Sequence, residues 1–219
     1  KLLFKNAGLN VGAFLFFETN DYPQIREAIA GKLTYPLFIK PSAMGSSVGI
    51  SKVSREEQLK AALDLAFRYD RKVLVEKALD MREIEVSVMG NDDIKISRPG
   101  ELVPHNEFYD YKDKYIDGKT TFYLPAHLDA ETEEKVRQAA GVAYKALFLN
   151  GMARVDIFIE KHTGIIYINE INTIPGFTEI SMFPKLWTLE GISFTQLVTG
   201  LIDYGIAYHE KTKNFSVDL

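Results

Sequence analysis

Residues 152–172, MARVDIFIEKHTGIIYINEIN, gather the side chains best suited to chemistry. Apolar and polar residues alternate on both sides of His162-Thr163-Gly164. That pattern predicts two half-buried strands joined by a three-residue hairpin loop, with glycine at its left-handed position. The first run sets Ala153, Val155, Ile157 and Ile159 against Arg154, Asp156 and Phe158. The second sets Ile165, Tyr167, Asn169 and Ile171 against Ile166, Ile168, Glu170 and Asn172. Pairing Lys161 with Ile165 then brings Asp156 across from Glu170 and Arg154 across from Asn172. Two carboxylates directly opposed in a sheet destabilise it, and a divalent cation between them removes the conflict. Oxygens of Asp, Glu and Asn are the hard donors Mg²⁺ takes, usually completed by phosphate oxygens. A solvated polar face accounts for the same alternation, so on the residues alone both readings stand.

Two further stretches point to anionic ligands. Asn172 runs into Thr173-Ile174-Pro175-Gly176, a turn whose backbone N–H groups can meet an anion or a developing oxyanion. Lys40 ends a strand and precedes Pro41-Ser42-Ala43-Met44-Gly45-Ser46-Ser47-Val48-Gly49. Glycines there let backbone amides approach phosphate, and Ser46 and Ser47 add short donors. A tight hairpin is the plainer reading of that loop. No GxxxxGK[ST] or HExxH occurs and only four histidines are present, which excludes a P-loop and a zincin site.

The elements that must carry these residues read as a mixture of strands and helices. Residues 1–8 form a helix stopped by Gly8, Val11–Phe17 a strand, and Asp21–Gly31 a short helix. Tyr35–Lys40 is a strand. Ser54 and Glu57 make a capping-box signature for a helix with Leu59, Ala62, Leu63, Ala66 and Phe67 on its apolar face. Lys72–Glu76 is a strand. In residues 83–89, Ile84, Val86 and Val88 alternate with Glu83, Glu85 and Ser87, the mark of a half-buried strand. Residues 98–124 read as a long loop with short strands; loops of that length are uncommon unless they cover a site or are disordered, and Phe108, Tyr109, Tyr111 and Tyr115 argue against simple disorder. A helix over 130–148 presents Val136, Ala139, Ala140, Ala143 and Leu147. Ser193 and Gln196 cap the last helix, lined by Leu197, Val198, Leu201 and Ile202.

At 219 residues, 46% hydrophobic and 26% charged, the chain can bury a sizeable core. Its net charge of -4 and the lack of a basic stripe make nucleic acid a poor partner. The absence of cysteine removes disulfides, thiolate metal sites and thiol nucleophiles, in keeping with a cytoplasmic protein. No apolar run reaches the length of a membrane helix and no signal-peptide pattern opens the chain, so no membrane partner is expected.

Taken together, FIKPSAMGSSVG (38–49), VLVEKALDMREIEVSV (73–88), FYDYKDKY (108–115), GMARVDIFI (151–159) and NEINTIPGFTEISMFPKLW (169–187) resemble the D-alanine–D-alanine ligase family of the ATP-grasp superfamily. The matching stretches span the chain in order. The resemblance implies an α+β ATP-grasp fold with two α+β subdomains clamping the nucleotide between sheets: a central subdomain over residues 1–75 with the phosphate loop, and a C-terminal one over 76–219 with the metal and substrate site. It implies that Lys40 and Ser47 contact phosphate and that Glu76, Lys77, Ala78 and Leu79 read adenine. Glu83 would accept from the ribose hydroxyls and Lys114 would reach the γ-phosphate. Asp156, Glu170 and Asn172 would bind two Mg²⁺, with Mn²⁺ able to substitute.

The activity implied is ATP-dependent ligation of two D-alanines through an acyl phosphate, giving D-alanyl-D-alanine, ADP and phosphate for peptidoglycan precursors. Arg154 and the Gly176 N–H would stabilise the tetrahedral oxyanion. Ser181 Oγ and the Met182 N–H would hold the second substrate's carboxylate. A tyrosine at position 115 hydrogen-bonded to Ser46 is the family's mark of an amine acceptor, against D-lactate. A different acceptor and a non-catalytic nucleotide-binding module are the alternatives, and a homodimer is compatible with the resemblance. The family also carries an amino-terminal domain ahead of the point matching Lys1. The chain, which opens without methionine, is therefore expected to be the remainder of a longer polypeptide, with one wall of the acid site and a nucleotide-contacting lysine lying upstream.

Overall fold

The structure is a computed structural model that describes residues 1–45, 47–103, 121–178 and 180–215. The chain opens on α1 (Leu2–Asn6). Just past its end Gly8 takes a left-handed φ of 80°. The Gly8 N–H donates to Lys5 O and the Leu9 N–H to Phe4 O, each at 3.0 Å, the paired closure of a Schellman end.

The chain divides into two compact units, and the smaller includes Gly12–Asp80. There β1 (Phe14–Phe17), β2 (Leu37–Pro41), β3 (Ser51–Val53) and β4 (Val73–Lys77) form an antiparallel sheet in the order β1-β4-β2-β3. Register aligns Leu37 with Val53 and Ile39 with Val75. These residues share one core with Ile25 and Ile29 of α2 (Tyr22–Ala30) and with Leu59, Leu63 and Ala66 of α3 (Leu59–Ala66). The opposite face carries Phe38 and Lys40 beside Leu74 and Glu76. Asp21 caps α2, accepting the Gln24 N–H at 3.2 Å. The Ser54–Glu57 capping box does not form. A 3-10 turn over Glu56–Gln58 delays α3, so the side chain within reach is Gln58, whose Oε1 accepts the Ser54 N–H at 2.8 Å.

The larger unit holds Lys1–Val11, Met81–Val103 and the chain from Phe122. Its strands are β5 (Met81–Gly90), β6 (Ile94–Ile96), β7 (Gly100–Val103), β8 (Thr121–Tyr123), β9 (Gly151–Glu160) and β10 (Ile166–Asn172). They run β10-β9-β5-β7-β8, with β6 also on β5. Ile84, Val86, Val155, Ile157 and Ile168 line one face, all buried, where α4 (Ala130–Ala146) contributes Val136, Ala140, Ala143 and Tyr144. The Tyr144 hydroxyl donates to Gly90 O at 2.8 Å, and burial pushes its pKa up to about 12. A Cβ on Gly141 of α4 would lie 2.8 Å from Ile96 Cδ1, so a larger residue there would push that side chain aside.

On the other face Ser87 Oγ donates to Phe183 O of α5 (Met182–Leu189) at 3.3 Å. Met89 packs there with Phe183, Trp187 and Leu197, the last from α6 (Phe194–Thr212). Central β5 is therefore covered on both sides rather than half-buried: Glu85 is 8% exposed and Ser87 fully buried. The Ser193–Gln196 capping box of α6 is present, although Leu197 alone of its expected lining is fully buried. Among the described residues no helix is long and apolar enough to cross a membrane.

Candidate active site

β9 lies between β5 and β10, so each of its polar positions has a neighbour on either side. Glu85 pairs with Asp156, which pairs with Glu170; Ser87 pairs with Arg154, which pairs with Asn172. The two pairings expected across the β9–β10 hairpin are thus present, but the chain reaches them by another route. The Glu160 N–H donates to Ile165 O at 3.0 Å and the Gly164 N–H to Glu160 O at 2.8 Å. They close a four-residue loop, Lys161–Gly164, in place of the expected three. A bulge between Ile168 and Glu170 takes up the extra residue. Ile168 accordingly faces Ile157 in the core, 1% exposed, instead of sharing a face with Glu170.

Arg154 organises the polar rows. Its Nε and Nη2 donate to the two Asp156 carboxylate oxygens at 2.7 Å each, and Nε also lies 3.2 Å from Glu85 Oε2. Asn172 Nδ2 donates to Asp156 Oδ2 at 3.0 Å. Burial alone would loosen the guanidinium proton. The Asp156, Glu85 and Glu170 carboxylates outweigh it and raise the Arg154 pKa above its ordinary value. Arg154 is therefore a bidentate ion-pair partner in this structure, a geometry that suits Arg and not Lys. Three carboxylates against one guanidinium leave the row with a formal surplus of two negative charges.

Among the described residues no three His, Asp or Glu side chains converge as a ready ion cage. Asp156, Glu170 and Asn172 supply two carboxylates and an amide. Each carboxylate oxygen carries two lone pairs, so pairing with Arg154 leaves Asp156 able to ligate. The hard oxygen donors and the surplus charge both fit a divalent cation. Glu85 escaped the sequence reading. Alternation put it on the polar side of β5, but which strand lies beside β5 is not written in that alternation.

The chain beyond β10 is built around Ser181. Its Oγ accepts the Thr178 N–H at 3.0 Å and shares a hydrogen bond with Thr178 Oγ1 at 2.9 Å. A Cβ on Gly176 would lie 2.7 Å from that Oγ, so a larger residue there would push the Ser181 hydroxyl out of this position. Met182 opens α5 with its side chain buried. Glu83 lies on β5 opposite Leu102 and Phe158, on the same side of the sheet as Glu85.

In the smaller unit Lys40 forms an ion pair with Glu76 across β2 and β4, both side chains largely buried. The Lys77 N–H donates to Ala13 O at 3.0 Å and the Ala78 N–H to Pro36 O at 2.9 Å, which fixes the segment leading to Leu79. Ser47 sits at φ 59° in the loop between β2 and β3. Ser46, Lys114 and Tyr115 lie outside the described residues.

A sequence profile described as D-ala D-ala ligase C-terminus matches residues 3–203. The chain belongs to this family. The D-alanine--D-alanine ligases of Thermoanaerobacter sp. (strain X514) and Acetivibrio thermocellus are 50% and 47% identical to it, over 96% and 98% of the chain and 60% and 58% of their own lengths. The VanG D-Ala:D-Ser ligase from Enterococcus faecalis superposes with a TM-score of 0.85 at 39% identity, covering 93% of the chain and 59% of that structure. The D-alanine-D-alanine ligase from Coxiella burnetii does so with a TM-score of 0.82 at 32% identity, covering 97% and 56%. The ATP-grasp fold implied by the motifs is the fold of this chain. The chain spans about three-fifths of the length of the curated relatives it matches.

Proposed function

We propose that the protein is an ATP-dependent D-alanine–D-alanine ligase that makes D-alanyl-D-alanine in the cytoplasm for peptidoglycan precursors. The observation that carries the reading is the Glu85–Asp156–Glu170 row gripped by Arg154, within a chain of this ligase family. A carboxylate resists attack because its leaving group would be oxide. In the proposed reaction an oxygen of the first D-alanine's carboxylate attacks the γ-phosphorus of ATP, and ADP leaves. The amino group of the second D-alanine attacks the resulting acyl phosphate, the C–O bond to phosphate breaks and the amine gives up a proton.

Asp156, Glu170 and Asn172 would hold Mg²⁺ or Mn²⁺, which neutralises phosphate charge when bound. Lys40, Ser47 and Lys114 would bind phosphates; the segment Glu76-Lys77-Ala78-Leu79 would bind adenine, and Glu83 the ribose. Arg154 and the Gly176 N–H would face the oxyanion, with Ser46 and Tyr115 setting the acceptor. Ser181 and the Met182 N–H would take the second carboxylate. Nucleotide binding is assigned to the present chain, and dipeptide synthesis to a polypeptide of the relatives' length. The test is ADP release by that polypeptide with D-alanine, D-serine or D-lactate, alongside direct assay of the dipeptide. D-alanine should give the highest rate with stoichiometric D-alanyl-D-alanine. Release indifferent to D-alanine, or a preference for another acceptor, would overturn the assignment.

A further inference from the structure

The loop between β2 and β3 is held from outside by the turn that follows α3. The Ala43 N–H donates to Asp70 Oδ2 at 2.7 Å, and the Lys72 N–H donates to Asp70 Oδ1 at 3.1 Å. The Ser42 N–H donates to Lys72 O at 2.9 Å. One carboxylate thus ties the start of the loop to the start of β4. At the far end Gly49 sits at φ 75°, where a Cβ would fall 2.6 Å from Tyr69 Cδ2 and 2.9 Å from Pro41 Cγ. Tyr69 and Asp70 are neighbours in the turn, so one short segment touches both ends of the loop. The same backbone donors, Lys72 first and then Ala43, hold the Asp70 carboxyl below its ordinary pKa.

We infer that Asp70 is a positioning residue for nucleotide binding, holding the glycine-rich loop in a phosphate-ready shape. This rests on the reading of that loop as a phosphate site, and Asp70 acts through Ala43 and Lys72 without touching nucleotide. An acceptor that fixes backbone amides before the ligand arrives removes an ordering cost from binding. Asp70 lies in a surface turn outside the core of this unit, so its loss should cost the fold its two backbone bonds and leave the core packing intact.

The test is D70A and D70N in the present chain, read by Mg²⁺-ATP affinity, melting temperature and amide exchange without nucleotide. D70A should speed exchange at Ala43 and its loop neighbours, weaken ATP binding about tenfold, the worth of one charge-assisted hydrogen bond, and lower the melting temperature by only a few degrees. D70N keeps one acceptor oxygen and should recover part of the affinity. Unchanged exchange and affinity in D70A would overturn the inference, as would a loss of affinity accounted for by global unfolding. A wild-type chain that binds no nucleotide would remove the phosphate-loop reading itself. The exchange result would still report whether Asp70 holds the loop, so the two failures are separable.

Discussion

Replacing Glu170 by glutamine should change stability and activity in opposite directions. Glu170 stands directly across β10 and β9 from Asp156, which has Glu85 on its other side. Like charges so placed, about 5 Å apart, repel by about 0.8 kcal/mol in a water-like dielectric, within the range of about 0.2–1 kcal/mol for opposed like pairs in sheets. Arg154 returns part of that through its attraction to Glu170. Glu170→Gln should therefore stabilise the metal-free protein by about 0.5 kcal/mol, or roughly 1–2 °C for a chain of this size. With Mg²⁺ the order should reverse. At ten times its dissociation constant the ion stabilises the wild type by about 1.4 kcal/mol, while the variant, lacking a ligand charge, should gain much less; placed in a polypeptide of the relatives' length, the same substitution should remove the Mg²⁺-dependent turnover proposed above. Thermal melts in EDTA and across a Mg²⁺ titration read both signs. A variant less stable than wild type in EDTA, or equal stabilisation of both by Mg²⁺, would refute the electrostatic reasoning.

Arg154→Met should destabilise the protein by about 3 kcal/mol in urea titration, since it leaves Glu85 and Asp156 side chains only 11% and 15% exposed without their counter-charge; Arg154→Lys should fall between. Phe148 occupies the left-handed position closing α4, at φ 54° and 86% exposed. Phe148→Gly should raise stability by up to about 1 kcal/mol in the same titration. Asp129 caps α4, and bonds from the Thr132 N–H and hydroxyl hold its carboxyl below the ordinary value. A depressed folded pKa gives stability that is complete above the unfolded value near 4 and is lost as pH falls through the folded one. The melting-temperature gap between wild type and Asp129→Ala should therefore be widest at neutral pH and close in acid.

How much of this was legible in the sequence varied with the range of the interaction concerned. Gly8 and the Ser193–Gln196 box act within a few residues, so their caps could be read directly. The Asp156–Glu170 and Arg154–Asn172 pairings could also be read, because a hairpin's register is local; a longer loop and a bulge offset each other, which is why a wrong turn length still gave the right facing. Glu85 could not be read as part of the site, since its contact with Arg154 depends on β5 lying beside β9 across a long connection. The double burial of β5 was hidden for a like reason: α5 arrives from far along the chain to cover Ser87 and Met89. Ser54 looked like a cap because its type and spacing fit, but a 3-10 turn moved the helix start beyond its reach.

The bulge at Asn169 bears on how this site can be recognised in other sequences. It puts a phase slip into the two-residue rhythm of β10, so that Ile168 and Glu170 face opposite ways though only one residue separates them. Deleting Asn169 would restore the regular rhythm and still leave the glutamate opposite Asp156. The site is thus indexed by rungs of the ladder and not by distance along the chain. A search that demands a fixed gap between the aspartate and the glutamate would pass over hairpins that hold the same carboxylates face to face.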